Sequence, residues 1–459
     1  MDQIYKKFLK KKELKTIEAG IDVDRDELNP NLFEFQKDIV KWALKKGKAA
    51  AFTDTGTGKT FMQLEFANQV IKKTGCKALI IAPLAVVKQT QSEGLKFGIP
   101  TTVIRQQSDI RGGINITNYE ILEHFDASEF DCVVLDESSI LKSFTSTTRN
   151  ELIDKFQGTR YKLCCTATPS PNDHTELGNH AEFLGIMSRT EMLATYFIHD
   201  GSDTSKWRLK GYGEKKFWEW VATWAVCVRN PGDLGYDVAD YKLPKLNLIE
   251  HVCHSKPGEY EFVAKRAETL SERREARIDS RPDRIAKAVE LTEGSAEPWL
   301  VWCDYNIESK ELHEAIKDSV EVVGSDSPDY KAEMADSFAR GDVHALVSKP
   351  SIYGFGMNFQ NCHNMIFCGI SDSYEQFYQA IRRCYRYGQK NEVNVHIITS
   401  ERELNVLDNI KEKQAQMDQL QENMIMLMHD VTMSEIKHTT RITTEYIPQE
   451  RMNIPAWIF

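Results

Sequence analysis

Residues 53 to 60 read Thr-Asp-Thr-Gly-Thr-Gly-Lys-Thr, after the apolar run Ala49 to Phe52 and before an amphipathic stretch from Phe61 to Lys72. A phosphate cradle needs that order of strand, glycine-bearing loop and helix. Gly56 and Gly58, with Thr55 and Thr57 in the same loop, let backbone N–H groups turn inward on phosphate oxygens, and the N-terminus of the following helix favours negative charge. Lys59 then reaches the β- and γ-phosphates, and Thr60 offers a hydroxyl to Mg²⁺. The strict pattern has glycine where Thr53 stands; the flanks still predict nucleotide binding.

Seventy-seven residues after Lys59, the apolar run Cys132 to Leu135 ends in Asp136-Glu137-Ser138-Ser139. A carboxylate at the C-terminal end of a strand beside a phosphate loop is placed to hold Mg²⁺, and its neighbour to polarise an attacking water. Two acids after a strand mean little alone; with the phosphate loop, in that order, they indicate an ATPase rather than a passive nucleotide binder. Thr166-Ala-Thr-Pro169 follows another apolar run, Tyr161 to Cys165. Its hydroxyls could link the carboxylates to whatever is gripped, or form a plain turn stopped by proline. Near the other end stands Gln379-Ala-Ile-Arg-Arg-Cys-Tyr-Arg-Tyr-Gly-Gln389. On a helix Arg383 and Arg386 share a face, so both guanidinium groups could neutralise charge on a transferred phosphoryl group. A basic helix binding a phosphate backbone is the alternative.

These groups need elements to hold them. Apolar β-branched runs recur at Lys48 to Phe52, Ala78 to Ala82, Gly113 to Thr117, Cys132 to Leu135 and Leu163 to Thr166, separated by amphipathic stretches. A second set lies at Trp299 to Cys303, Val320 to Val323, Ala345 to Ser348, Asn364 to Cys368 and Asn394 to Thr399. Alternation of this kind predicts two α/β units around buried parallel sheets. Asn230 to Lys245, rich in turn residues, and the charged stretch Lys256 to Lys287 mark the junction; the latter reads as helical and solvated. The segment 201 to 228 reads as a tryptophan-rich packing face in preference to a base-stacking platform. Glu401 to Met428 reads as a helix docked on the second unit.

Composition bounds the function. With 459 residues, 41% hydrophobic and 27% charged, the chain can fill more than one core. A net charge of -10 excludes global attraction to nucleic acid, so any polyanion must meet a local basic surface. The longest apolar run, Ala78 to Val87, contains Pro83 and is too short to span a bilayer. The Lys-rich start lacks an apolar signal core, and the ten scattered cysteines read as buried reduced thiols, so a cytoplasmic setting is expected.

The order of motifs resembles the superfamily-two helicases and translocases, most closely the Swi/Snf-type DNA translocases, over about residues 30 to 430. The Gln-Ala-x-x-Arg-x-x-Arg-x-Gly-Gln form of residues 379 to 389 is specific to that branch and close relatives. Leu32-Phe-Glu-Phe-Gln-Lys-Asp38 is similar to the adenine-reading segment, which implies that Gln36 contacts the base. The resemblance further implies nucleic-acid contacts from Lys88, Gln89, Thr117 and Ser348, and coupling roles for Thr166, Thr168 and Gln379. Gly356, in the Gly354-Phe-Gly-Met-Asn358 segment, would lie beside the nucleotide. Two departures stand out: Ala85 where serine is usual, and Ser138-Ser139 where Ala-His is usual.

The resemblance implies two RecA-like α/β lobes with ATP and Mg²⁺ between them, Thr60 and Asp136 holding the metal. The expected division is a basic extension over 1–30, lobe 1 over 31–240, a linker and helical protrusion over 241–290, lobe 2 over 291–430 and a tail over 431–459. Lys59, Asp136, Glu137, Arg383 and Arg386 would be catalytic. The implied activity is an ATP-driven, sequence-nonspecific motor on duplex DNA, monomeric and minimal, of the kind found in phages and bacteria, with replication, recombination or repair factors as partners. A strand-separating DNA or RNA helicase and an ATPase-impaired scaffold are the alternatives. Arg273, Arg274, Arg277, Arg281 and Arg284 are candidate phosphate contacts, set against a salt-bridged helix.

Overall fold

In the computed structural model the apolar runs become buried parallel strands, because a strand covered on both faces must be apolar on both. The structure describes residues 19–143, 145–171, 173–199, 207–238, 241–253, 269–354, 357–371 and 373–436. The first lobe contains β1 (Lys48–Thr53), β2 (Ala78–Ala82), β3 (Thr101–Val103), β4 (Ile114–Asn118), β5 (Cys132–Asp136) and β6 (Tyr161–Cys165). A small hairpin, β7 (Phe197–His199) with β8 (Trp207–Leu209), precedes β9 (Ala225–Val228). The seven parallel strands run in the order β3-β4-β2-β5-β6-β1-β9. Hence β5, β6 and β1 are neighbours, and their C-terminal ends bring together Asp136, Thr166 and the phosphate loop.

The second lobe contains β10 (Leu246–Cys253), β11 (Trp299–Cys303), β12 (Ser319–Val322), β13 (Ala345–Ser348), β14 (Asn364–Cys368) and β15 (Val393–Ser400), ordered β10-β15-β14-β11-β13-β12 and again parallel. Covering helices in lobe 1 are α1 (Glu34–Lys46), α2 (Lys59–Thr74), α3 (Val87–Lys96), α4 (Thr147–Lys155), α5 (Leu177–Leu184), α6 (Arg189–Tyr196) and α7 (Glu214–Ala222). Lobe 2 adds α8 (Leu270–Asp279), α9 (Arg281–Thr292), α10 (Asn306–Ala315), α11 (Pro328–Arg340), α12 (Pro350–Tyr353) and α13 (Tyr374–Ile381), and the last helix is α14 (Leu404–Ile436). Among the described residues no helix is long and apolar enough to cross a membrane. The ten cysteines form no disulfide.

Four expectations are corrected. Helix α14 is not confined to lobe 2: Lys411 pairs with Glu250 at 2.5 Å in lobe 2, whereas further along Gln421 reaches lobe 1 and the helix packs on α7, β9 and α1. Periodicity fixed its apolar face but not the surface that face meets. Leu246–Cys253, assigned by composition to the linker, is the edge strand of the second sheet, and its half-exposed alternation conceals it from a search for continuous apolar runs. The charged stretch is the salt-bridged helical segment, the alternative to phosphate contacts, but it is not solvated throughout, because Arg277 and Arg284 are buried. Arg284 pairs with Glu308 with both side chains 1% exposed, Arg277 bonds Asp304 at 2.7 Å and Glu403 at 2.8 Å, and Arg281 bonds Glu311 at 2.8 Å. Finally, Arg383 and Arg386 stand on turns after α13 rather than on a helix. The tryptophan segment is packing: Trp218, Trp220 and Trp224 are buried, and Trp220 and Trp224 meet edge to face.

Candidate active site

The phosphate loop leaves β1 and enters α2 through two glycines, Gly56 and Gly58, whose positive φ strains any L side chain. Gly58 has φ +82°, and a Cβ there would lie 2.3 Å from the Gln36 amide nitrogen. Gln36, buried on α1, donates from Nε2 to the Thr57 carbonyl at 2.7 Å and accepts from the Phe33 N–H at 2.9 Å. The residue expected to read the base is thereby fixed against the loop that holds the phosphates. Thr57 Oγ1 donates to the Asp54 carbonyl at 2.7 Å and lies 3.0 Å from Thr53 Oγ1, so the threonine in place of the usual glycine at 53 braces the loop from within. Lys59 Nζ folds over the loop, donating to the Thr53 carbonyl at 2.9 Å and the Asp54 carbonyl at 3.2 Å. Thr55 is buried, and Thr60 lines the cleft.

Asp136 ends β5. Its Oδ1 accepts from Gln63 Nε2 at 2.6 Å, and its carbonyl accepts from the Tyr119 hydroxyl at 2.7 Å. Glu137 follows in the left-handed region, φ 53° and ψ 54°, a backbone turn that swings its carboxylate off the strand and into the cleft wall. Burial pushes the Glu137 carboxyl up to about 7, with Asp136 adding repulsion against the attraction of Lys59 and Arg383. Burial raises Asp136 too, opposed by the Gln63 bond and by Lys59. Thr166 Oγ1 donates to Glu137 Oε2 at 3.3 Å and accepts from the Thr168 N–H at 3.1 Å, tying the third strand end to the acid. The Thr168 hydroxyl is buried without a partner, and the Ala167 carbonyl between them accepts from Gln421 Nε2 of α14 at 3.1 Å.

Lobe 2 contributes Arg383, held by three bonds: Nε to the Gln379 carbonyl at 2.8 Å, Nη2 to Gln379 Oε1 at 3.0 Å and Nη1 to the Met357 carbonyl at 3.0 Å. Burial, then repulsion from Arg386, brings its guanidinium down to about 10, while Glu137 attracts it. Arg386 lines the same cleft as Gln36, Gly58, Thr60 and Glu137. The cleft measures about 1830 Å³ and continues past these residues to Lys88, Gln89, Thr117 and Asn358.

Of the expected strand contacts, Lys88 and Gln89 line the cleft, and Lys88 pairs across it with Asp329 at 2.6 Å. The Thr117 hydroxyl faces the Ile104 carbonyl at 3.3 Å, and Thr117 is 1% exposed. Ser348 is a correction: it is fully buried and donates to the Val322 carbonyl at 2.8 Å, its hydroxyl spent inside the sheet. Gly356 lies outside the described residues. Thr60 and Asp136 offer oxygen donors, the kind Mg²⁺ takes alongside substrate phosphates, and no third carboxylate is needed for that.

Sequence reasoning missed several supports. Asn179 of α5 donates to the Leu141 and Lys142 carbonyls at 2.8 and 3.0 Å, and His180 Nε2 lies 3.2 Å from Ser138 Oγ, so α5 pins the loop after Glu137. Lys142 also pairs with Glu375 of lobe 2. None of these carries a spacing signal, because each joins elements brought together only by the sheet.

The first lobe matches the model of the SNF2-related domain over residues 35–193, and the second that of the helicase conserved C-terminal domain over 283–388. Among solved structures the Sulfolobus solfataricus SWI2/SNF2 ATPase core in complex with dsDNA is similar at 17% identity and a TM-score of 0.43, covering 90% of this chain and 98% of that one. No curated protein matches. With both domain models falling in the expected order on the two RecA-like lobes, the chain belongs to the Swi/Snf-like branch of the superfamily-two helicases and is an ATP hydrolase.

Proposed function

We propose that the protein is a DNA translocase that couples ATP hydrolysis to movement along duplex DNA without reading its sequence. The observation that carries this reading is the single continuous cleft, lined by nucleotide-site residues from both lobes and extending to Lys88 and Gln89. At about 1830 Å³ it exceeds the roughly 300–1,000 Å³ of a small-ligand pocket, leaving room for a second, elongated ligand. Lys59 and the loop N–H groups hold the phosphates, Gln36 the base, and Glu137 takes the proton of the attacking water. Arg383 and Arg386 stand where charge develops on the γ-phosphoryl group. Thr60 and Asp136 would hold Mg²⁺, which when bound neutralises phosphate charge. Loss of the γ-phosphate removes what bridges the lobes, and Thr166 and Thr168 carry that change toward the strand. We take the first lobe to end near residue 240 and the second to begin at Leu246, as a minimal motor of the phage or bacterial kind.

The test is steady-state ATPase activity with no nucleic acid, duplex DNA, single-stranded DNA or RNA, over a salt series. Stimulation by duplex DNA that declines steeply with salt is expected, as is loss of turnover in Lys59→Ala. Stimulation by single strands or RNA alone overturns the duplex reading, and turnover surviving in Lys59→Ala overturns the nucleotide site.

A further inference from the structure

Asp54, the second residue of the phosphate loop, is 5% exposed and is gripped from the opposite lobe. Its Oδ1 accepts from the Thr55 N–H at 2.6 Å and from the Tyr378 hydroxyl at 2.5 Å, and its Oδ2 accepts from Arg382 Nη2 at 2.7 Å. The Arg382 guanidinium carbon lies 5.0 Å from the Tyr378 ring centroid and 5.3 Å from that of Tyr385, so both rings confine it. A second contact docks the same two segments. A Cβ on Gly56 would lie 2.9 Å from the Tyr387 ring, and the Tyr387 hydroxyl donates to the Arg229 carbonyl of lobe 1 at 2.8 Å.

Arg382 precedes Arg383 in the chain, and Arg383 is near enough to Glu137 to be attracted by its carboxylate. We infer that Arg382 is a positioning residue: by gripping Asp54 together with Tyr378, it sets where Arg383 stands over the phosphate loop. The grip is made to the loop's own carboxylate rather than to the nucleotide. The approach of Arg383 is therefore fixed by protein contacts before any phosphate is present, which is the condition for charge stabilisation without reorganisation. Two donors converging on one carboxylate fix direction as well as distance. The pair is also sensitive to being halved, since removing one partner strands a buried charge.

The inference rests on the nucleotide-site reading above, so Lys59→Ala is the control. Arg382→Gln and Asp54→Asn are each expected to lower kcat about 100-fold, the order of loss for a misplacement near 1 Å, with KM for ATP within about threefold. The double variant D54N/R382Q is expected to lose no more than the worse single, because both act through one contact. If the double loses the product of the two single effects, or if either single keeps the parent kcat while Lys59→Ala is dead, the positioning role is overturned and the nucleotide site stands. Turnover in Lys59→Ala overturns both. Should Arg382→Gln not fold, Tyr378→Phe removes one hydroxyl from the same carboxylate. A several-fold fall in kcat at unchanged KM and melting temperature is then expected, and an unchanged kcat overturns the role.

Discussion

Replacing Glu137 by glutamine should make the protein more stable and nearly inactive at once. The folded carboxyl titrates at about 7 against an ordinary 4.5, chiefly because it is buried. Between those values the folded state binds more protons than the unfolded chain, so stability declines as pH rises through that window and stays lower above it. At about 1.4 kcal/mol per pH unit the full cost is about 3 kcal/mol. Glu137 lies in a cleft wall that water reaches, and screening there brings the cost to about 2 kcal/mol. Glutamine keeps the shape and the bond from Thr166 but carries no charge. For a lobe of this size Glu137→Gln should melt about 4–8 °C above the parent at pH 8, with the difference shrinking to about 1–2 °C at pH 5. Turnover should fall by about 10²–10⁴, the usual contribution of a general base. Scanning fluorimetry without nucleotide at both pH values, with steady-state ATPase beside it, makes the measurement. A variant that melts at or below the parent at pH 8 refutes the claim that an ionised carboxylate is confined there.

Gly58→Ala forces a side chain into the left-handed region and against the Gln36 amide, so KM for ATP should rise at least about tenfold; an unchanged KM would sink the packing argument. Arg386→Ala should lower kcat by about 10³ while leaving KM within about threefold, and a defect confined to KM speaks against its transition-state role. Glu308→Ala leaves Arg284 charged and enclosed, which should destabilise lobe 2 by about 3–5 kcal/mol in denaturant titration. A loss under about 1 kcal/mol would show that the pair is open to water.

Where the sequence was legible, the cause was local. Ala78–Ala82, Trp299–Cys303, Ala345–Ser348 and Asn364–Cys368 appear as strands over the stretches their apolar runs mark, since burial on both faces leaves a continuous signal. Ala225–Val228 and Leu246–Cys253 escaped, the first merged with a tryptophan-rich helix and the second half-exposed at a sheet edge. At the site, Lys59, Asp136, Glu137 and Arg383 could be chosen by type and order, and the structure brings them together. Ser348 was misjudged because a hydroxyl at a strand end carries no mark of whether it faces a cleft or a neighbouring carbonyl. The grip of Arg382 on Asp54 joins residues 328 apart in the chain, and no periodicity links them.

The path of α14 has a mechanical consequence. Two bodies joined by one flexible tether swivel about it in any direction, whereas a second, stiff connection removes some of those directions. The chain crosses between the sheets once from β9 to β10 and returns along α14, whose 33 residues span about 50 Å. The helix is anchored at Lys411 on one side and at Gln421 on the other. The stretch between those anchors is under three turns and buries Met417 and Leu420, so packing holds it as well as its own hydrogen bonds. The two lobes are thus joined by a stiff helical strut as well as by the β9 to β10 crossing, and the strut removes directions of relative motion that a flexible linker alone would leave open.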